Sequence, residues 1–234
     1  MPAQIGVVEA LRDWGLTVHL VPGHITRGSQ DFNPRGHVCH HDVIPDQPGK
    51  QDHVPGIIIN GRPDLDGPLA NFWLEVDGDV HVVALGRANH AGVGSWRGLS
   101  QNSQVWGTEA NNMGTPATPW PDEQLEAWYK LCKATCQFSD FEPAMVCGHK
   151  EWAPGRKSDP HSLNMDTFRN NVRNATKGDD ELSAEEAKMI KDAIVNQSNQ
   201  QEATMRAQGE KTRQEMKDQT DRLIAAFTAS NEPG

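Results

Sequence analysis

The chain has 234 residues, enough for one sizeable domain and an accessory segment, and carries a formal net charge of −10. This negative balance argues against nucleic acid and anionic membrane surfaces as main partners. No stretch of 18 apolar residues occurs, so insertion into a membrane is not expected. The N-terminal residues lack a basic leader and a long apolar core, and are therefore not expected to be a signal peptide.

Aromatic residues divide the chain unevenly. All seven tryptophans, the single tyrosine and all four cysteines lie before residue 177, whereas Phe227 is the one aromatic residue after it. We therefore expect a compact domain over residues 1–176 and a poorly hydrophobic segment over residues 177–234.

Hydrophobic periodicity predicts alternating helices and strands in the first part. Residues 5–14 have the pattern of an amphipathic helix with Ile5, Val8, Leu11 and Trp14 inward. The further elements in chain order are a strand at 16–21, a short strand near 37–41, an irregular surface loop at 42–68, a hairpin of 69–76 with 80–84, a strand at 105–110, a helix at 121–138, a strand at 144–147 and a helix at 165–172. This order predicts an α/β fold with a single mixed central β-sheet flanked by helices.

The second part is predicted to be a C-terminal helical extension. Ser183-x-x-Glu186 is a capping-box pattern, and an apolar stripe starting at Met189 follows it. A weakly apolar heptad path runs through Met216, Thr220, Leu223 and Phe227. A long helix that self-associates into a homo-oligomer or binds cell wall, and a solvated tail, both fit this pattern.

The four cysteines do not form a recognisable metal motif. No CxxC spacing occurs, which disfavours a four-cysteine zinc site. Cys132 and Cys136 lie four residues apart in a predicted helix, where one face buries both. We expect the cysteines to be buried, unpaired hydrophobic residues.

Three segments contain residues suited to metal chemistry: GHVCHHD at 36–42, GTE at 107–109 and GHKEWAPGRKSDP at 148–160. A catalytic zinc ion takes three protein ligands, typically imidazole and carboxylate groups, and leaves a fourth position for water. Because adjacent side chains of a strand point to opposite faces, His40 and His41 are not expected to bind the same ion.

The segment 148–160 resembles the C-terminal motif of type-2 N-acetylmuramoyl-L-alanine amidases, the superfamily of amidase-type phage lysozymes and peptidoglycan recognition proteins. The resemblance extends to GRANHAGVG at 86–94 and GPLANF at 67–72, and covers roughly residues 5–172. Together these segments look closest to the amidase domains of actinobacteriophage endolysins.

The resemblance implies a role for several residues. His40, His149 and Asp159 match the zinc ligands, Glu109 matches the catalytic glutamate, and Lys157 matches the lysine that faces the reacting carbonyl. His90, Asn71 and Arg156 are expected to contact substrate. One departure is Ala70, where some relatives have a tyrosine in the cleft, so Glu109 is expected to act as the base without it.

The function that the resemblance implies is zinc-dependent hydrolysis of the bond between N-acetylmuramic acid and L-alanine in peptidoglycan. In the phage branch the enzyme stays in the host cytoplasm until a holin releases it to the wall. Two other classes remain open: a module that binds peptidoglycan without cutting it, and a structural virion component. Retention of all three candidate ligands and Glu109 favours the enzyme.

Overall fold

A computed structural model describes residues 4–43 and 54–177, together with Gln208, Arg213, Met216, Lys217 and Gln219. The chain divides into two compact units, residues 1–180 and 181–234. The five described positions of the second unit are helical and exposed. The predicted capping box, the apolar stripe and the heptad positions other than Met216 lie outside the described residues.

The first unit contains five helices and eight strands among its described residues. In chain order these are α1 (Val7–Asp13), β1 (Val18–Leu20), β2 (His37–His41), α2 (Gly56–Asn60), β3 (Gly61–Arg62), β4 (Leu65–Asp66), β5 (Phe72–Leu74), β6 (Val80–Val82), β7 (Trp106–Ala110), α3 (Asp122–Phe138), β8 (Val146–Gly148), α4 (His149–Trp152) and α5 (Met165–Asn174). Short 3-10 turns at Asn102–Gln104 and Pro143–Met145 precede β7 and β8.

Six of the strands form one sheet in the order β1-β6-β5-β7-β2-β8. The β5–β6 hairpin is antiparallel, and the other neighbouring pairs of this sheet are parallel. The predicted α/β fold with a mixed central sheet flanked by helices is therefore confirmed. No helix among the described residues is long and apolar enough to cross a bilayer.

The two faces of the sheet have different partners because side chains alternate along each strand. Cys39, Phe72 and Trp106 belong to the main core, which also contains the apolar sides of α1, α3 and α5. Val38 and Cys147 lie in a separate cluster that contains Trp152 of α4. Residues in phase with Val38, including His40, therefore point away from the main core.

The sequence of helix α3 provides both a favourable first turn and an apolar face that is buried. Pro121 precedes the first turn, and Asp122 and Glu123 complement the positive end of the helix dipole. The helical spacing of the sequence places Leu125, Trp128, Leu131, Cys132 and Thr135 on one face, and all are buried except Leu125, which is half-buried. Gln124 is buried in its place, and its amide donates to the carbonyl oxygens of Leu74 and Asn111.

Two local predictions were wrong. Residues 56–66, predicted as part of an irregular loop, form α2 and the two-stranded ribbon β3–β4, because Ile58 packs into a small apolar cluster with Trp73. Ile5 was predicted to face inward but is 42% exposed. Val7 is fully buried and takes the inward position at the start of α1.

The cysteine prediction is confirmed. All four cysteines are free and buried. The Sγ atoms of Cys39 and Cys132 lie 3.9 Å apart in the main core.

Candidate metal centre

Three side chains that are distant in sequence meet at one point. His40 Nδ1 lies 2.9 Å from His149 Nδ1 and 3.2 Å from Asp159 Oδ2. His149 Nδ1 lies 3.1 Å from the same oxygen. Both histidines are buried and Asp159 is half-buried, so the cluster is shielded on most sides.

The sheet order explains how the two histidines come together. His40 lies near the carboxyl end of β2, and His149 directly follows Gly148, the last residue of β8. Because β2 and β8 are parallel neighbours, their carboxyl ends lie at the same edge of the sheet.

Asp159 reaches this edge because the loop after α4 folds back onto the helix. The Lys150 amide donates to the Asp159 carbonyl oxygen over 2.7 Å. The Lys150 ammonium donates to the carbonyl oxygens of Pro160 and Leu163. Lys150 therefore fixes the loop at Asp159 and at two residues that follow it.

Backbone carbonyls determine where the protons of these histidines lie. His149 Nε2 is 2.8 Å from the Ala91 oxygen and His90 Nε2 is 3.3 Å from the Val105 oxygen, so both nitrogens must donate. Neutral His90 then has a lone pair on Nδ1, which accepts the Nε2 proton of His40 over 3.0 Å. In the neutral rings, His40 and His149 therefore both have an unprotonated Nδ1.

Three acceptor atoms thus face one another with no hydrogen between them. Two imidazole lone pairs and a carboxylate oxygen at 2.9–3.2 Å repel one another unless a cation lies among them. Ligand atoms around a tetrahedral zinc ion are about 3.3 Å apart, as bond lengths of about 2.0–2.2 Å require. The donor set and its spacing therefore fit zinc.

The electrostatics of the cluster favour the ligand forms. Burial lowers the pKa of His40 to about 4, so its ring is neutral near neutral pH. Burial opposes ionisation of Asp159, but the adjoining His149 and His40 rings outweigh burial and hold the pKa of Asp159 well below its ordinary value. The site therefore presents a neutral His40 ring beside an ionised Asp159 carboxylate.

Glu109 lies beside this cluster on the neighbouring strand. Parallel pairing of β2 and β7 sets Glu109 opposite His40, and Oε1 of Glu109 is 4.0 Å from His40 Nδ1. Its Oε2 is buried, with no hydrogen-bond partner among the described residues. Burial, and then the Asp159 and Asp42 carboxylates, raise the pKa of Glu109 well above its ordinary value. A carboxyl group with one buried oxygen free of hydrogen bonds, beside a metal site, is suited to proton transfer.

The comparison with protein families agrees with this geometry. A family model described as N-acetylmuramoyl-L-alanine amidase matches residues 30–162. The chain belongs to this family. It is therefore an enzyme of the type-2 amidase class, whose members are metal-dependent hydrolases. No curated protein matches the sequence of this chain detectably.

Several solved structures resemble the amidase. An endolysin amidase LysCS from Clostridium intestinale has a TM-score of 0.48 and 17% identity, covering 67% of this chain and 95% of its own. An AmpD structure has a TM-score of 0.47 and 27% identity, covering 67% and 94%. AmiD from E. coli, in complex with anhydro-N-acetylmuramic acid-L-Ala-D-gamma-Glu-L-Lys, has a TM-score of 0.47 and 20% identity, covering 62% and 61%.

Lys157 lies in the exposed part of the loop that carries Asp159. Its positive charge is close enough to Glu109 to oppose the rise in the pKa of that carboxyl group. Lys157 therefore lies near the cluster, on an exposed part of this loop.

The residues predicted to contact substrate have other partners in the amidase. His90 is buried behind His40, as described above. Asn71 is fully buried; its amide donates to Ala84 and Gly86 and accepts from the Gly107 amide. These partners lie inside the domain, which a sequence motif does not show, and the substrate contacts of His90 and Asn71 remain predictions.

Arg156 is exposed, as a substrate contact requires. Its Nη2 donates to the carbonyl oxygens of Ala91 and Val93, which ties the loop after α4 to the loop around residue 91. The structure therefore gives Arg156 a bridging role that the sequence did not indicate.

His41 and His37 lie on the face opposite His40, as strand alternation predicts. His41 Nδ1 accepts the His161 amide proton. His37 is close to Cys39 and Cys132, a second group with metal-ligand spacing. However, both of its ring nitrogens are hydrogen-bonded to threonine hydroxyls inside the main core, which suits packing and not metal binding.

Proposed function

We propose that the chain is a zinc-dependent hydrolase of the amide bond between the lactyl group of N-acetylmuramic acid and L-alanine in bacterial peptidoglycan. The observation that carries the proposal is the convergence of two unprotonated imidazole nitrogens and one carboxylate oxygen within 3.2 Å. His40, His149 and Asp159 would hold the ion.

The ligand types favour zinc over the hard cations. Calcium and magnesium prefer oxygen ligands, whereas two imidazoles with one carboxylate suit zinc. A zinc ion held there would lower the pKa of bound water from 15.7 to about 7 and polarise the substrate carbonyl.

Glu109 would be the general base and then the general acid. Its carboxylate accepts a proton from the attacking water as the carbon–oxygen bond forms, and the carboxylic acid later delivers that proton to the leaving amine nitrogen. The raised pKa of Glu109 favours the first transfer, because its carboxylate is then a stronger base toward the proton of water.

Lys157 and Arg156 are proposed to face the substrate. The Lys157 ammonium would stabilise negative charge on the carbonyl oxygen as the tetrahedral centre forms. Arg156, already fixed at Ala91 and Val93, would offer positive charge to acidic groups of the stem peptide. Both side chains are exposed at the loop that carries Asp159.

Mass spectrometry of digested cell wall tests the reaction. Purified peptidoglycan is incubated with metal-free protein and with the same protein after addition of one equivalent of zinc. We expect free stem peptides that begin with L-alanine only after zinc is added. New reducing sugar ends, or digestion that is equal without metal, would contradict the proposal.

The biological setting that we propose is host lysis by a phage, with release to the wall through a holin. This step rests on the resemblance of segments 67–72, 86–94 and 148–160 to phage endolysins. Expression in a bacterial host tests it: lysis should begin only when a holin is co-expressed. Lysis without a holin would contradict the release route.

For the domain organisation, we propose a catalytic domain over residues 1–176 and a helical tail that associates copies of the chain. Association would let several catalytic heads act on one polymer and raise the apparent affinity. Light scattering of the full chain and of residues 1–176 tests the tail. A monomeric full chain at all concentrations would contradict self-association.

A further inference from the structure

One dipeptide, His90-Ala91, contacts both histidines of the cluster. The His90 ring accepts the Nε2 proton of His40, and the Ala91 carbonyl oxygen accepts the Nε2 proton of His149. These two bonds leave the Nδ1 atoms of both ligands unprotonated. The position of a single loop segment therefore controls the tautomer and the ring orientation of both histidines.

The two backbone amides of the dipeptide share one acceptor side chain, while Arg156 donates to the Ala91 carbonyl oxygen. Asn102 Oδ1 accepts the backbone amide protons of His90 over 3.3 Å and of Ala91 over 2.9 Å. Asn102 begins the 3-10 turn Asn102–Gln104, and Val105, the next residue, supplies the carbonyl oxygen that fixes the His90 ring.

The packing around the dipeptide leaves little freedom. A Cβ atom at Gly107 would lie 2.5 Å from Cγ of His90, so the ring rests directly on the β7 backbone. The residue after the dipeptide, Gly92, has a φ of +60°, which turns the chain immediately behind Ala91. Small movements of the dipeptide are therefore transmitted to the rings of His40 and His149.

We propose that Asn102 is a positioning residue for both metal-binding histidines, acting through the backbone of His90-Ala91. The inference rests on the proposed function, because it concerns the same metal site. Loss of the Asn102 oxygen leaves two backbone amides without their acceptor and frees the dipeptide to move. The Ala91 oxygen and the His90 ring then no longer hold both ligands in the metal-binding tautomer.

Zinc affinity of full-length variants tests the proposal. Asn102→Ala removes the acceptor, Asn102→Asp keeps an oxygen in its place, and Ser103→Ala changes the next, outward-facing side chain of the same turn. Affinity is measured by competition with a chromophoric chelator, the visible spectrum of the cobalt-substituted protein reports ligand geometry, and thermal unfolding of metal-free protein reports the fold.

We expect Asn102→Ala to weaken zinc binding about 10- to 100-fold and to change the cobalt spectrum, as loss of outer contacts does at other metal sites. Asn102→Asp should restore most of the affinity, and Ser103→Ala should match the unsubstituted protein. A folded Asn102→Ala variant with unchanged zinc affinity would overturn the inference while leaving the proposed function intact. Failure of the unsubstituted protein to bind zinc would overturn both.

A second pair of variants covers the case in which Asn102→Ala does not fold. His90→Phe keeps a ring on Gly107 but cannot accept the His40 proton, whereas His90→Asn retains an acceptor oxygen near the position of Nδ1. Weakened zinc binding in the first variant, with partial recovery in the second, supports control through the dipeptide. Equal, unweakened zinc binding in both would overturn it.

Discussion

The guanidinium group of Arg169 and the carboxylate of Glu151 form a two-point ion pair. Nη1 lies 2.7 Å from Oε2 and Nη2 lies 2.9 Å from Oε1. The same Glu151 oxygen, Oε2, accepts the Gly148 amide proton, and Arg169 Nη1 also donates to the Val146 carbonyl oxygen. The pair therefore joins α5 to the junction of β8 and α4, where His149 begins the helix.

Arg169→Met should destabilise the protein strongly. The Arg169 side chain is buried, so its removal leaves the Glu151 carboxylate and the Val146 carbonyl oxygen without the guanidinium group. Loss of one member of a buried ion pair costs about 3–5 kcal/mol, and the partial exposure of Glu151 places the expected loss near the lower value. Urea denaturation measures the free energy of unfolding.

Arg173→Met is the matched control on the same helix. Arg173 is exposed, and its side chain bonds Asn170. Its loss should change stability by about 0.5 kcal/mol or less. Similar destabilisation by both substitutions would show that the Arg169–Glu151 pair contributes no more to the free energy of unfolding than an exposed arginine.

Glu109→Gln should abolish most of the activity without loss of zinc. The substitution keeps the shape of the side chain but removes the proton acceptor beside the cluster, and general base catalysis typically contributes about 10²- to 10⁴-fold. Hydrolysis rates with purified peptidoglycan and zinc content by mass spectrometry check this. Glu142→Gln, at an exposed glutamate in the turn before β8, is the control. Normal hydrolysis by a zinc-loaded Glu109→Gln variant would remove Glu109 from its proposed role.

Lys157→Met should lower the turnover number and leave zinc affinity nearly unchanged. The ammonium group is proposed to act on the carbonyl oxygen during the reaction, where one well-placed donor typically contributes about 10²- to 10³-fold. Steady-state kinetics separate this effect on kcat from an effect on KM. Lys133→Met removes a lysine that instead bonds the Arg173 carbonyl oxygen. A change in KM alone would indicate that Lys157 only binds substrate.

We expect the metal-free protein to lose stability in mild acid because His37 is buried as a neutral ring. Thr135 donates its hydroxyl proton to the Cys132 carbonyl oxygen, so His37 Nδ1 donates to Thr135 and Nε2 accepts from Thr108. The neutral ring satisfies this arrangement. Burial, with a smaller contribution from His40, lowers the pKa of His37 from 6.5 to about 3.

The sign of the effect follows from the two states. Below about pH 6.5 the unfolded chain binds a proton at His37 that the folded chain does not. The contribution of His37 to the free energy of unfolding is therefore fully present above this pH and is lost as the pH is lowered. Between about pH 7 and pH 5 the contribution of His37 is about 2 kcal/mol. Chemical denaturation at pH 7 and at pH 5, of the metal-free unsubstituted protein and of metal-free His37→Gln, isolates this contribution. An equal loss of stability in both proteins would contradict the assignment.

The resemblance to type-2 amidases supplied the candidate residues of the site, and strand alternation predicted one feature of their arrangement. Alternation separated His40 from His41, and the structure places the first in the cluster and the second on the opposite face. The carboxyl ends of β2 and β8 meet because parallel neighbours in a sheet end at the same edge. The roles of His40, His149, Asp159 and Glu109 as ligands and base remain predictions, which the geometry supports.

Side-chain direction in loops was not predictable in the same way. His90 and Asn71 occur in glycine-rich segments without a regular period, so nothing in the sequence indicated that both point inward. Asn102 was missed altogether, because an asparagine before a strand has the same appearance in sequence whether it caps a turn or holds a distant loop. Only the distances to the amides of His90 and Ala91 distinguish these cases.

Anomalous X-ray diffraction at the zinc absorption edge, from crystals of the zinc-loaded protein, tests the central claim most directly. We expect one strong peak in the described domain, about 2.0–2.2 Å from His40 Nδ1, His149 Nδ1 and Asp159 Oδ2. A peak bound instead by His37, Cys39 and Cys132, or the absence of a peak at the three predicted atoms, would contradict the account.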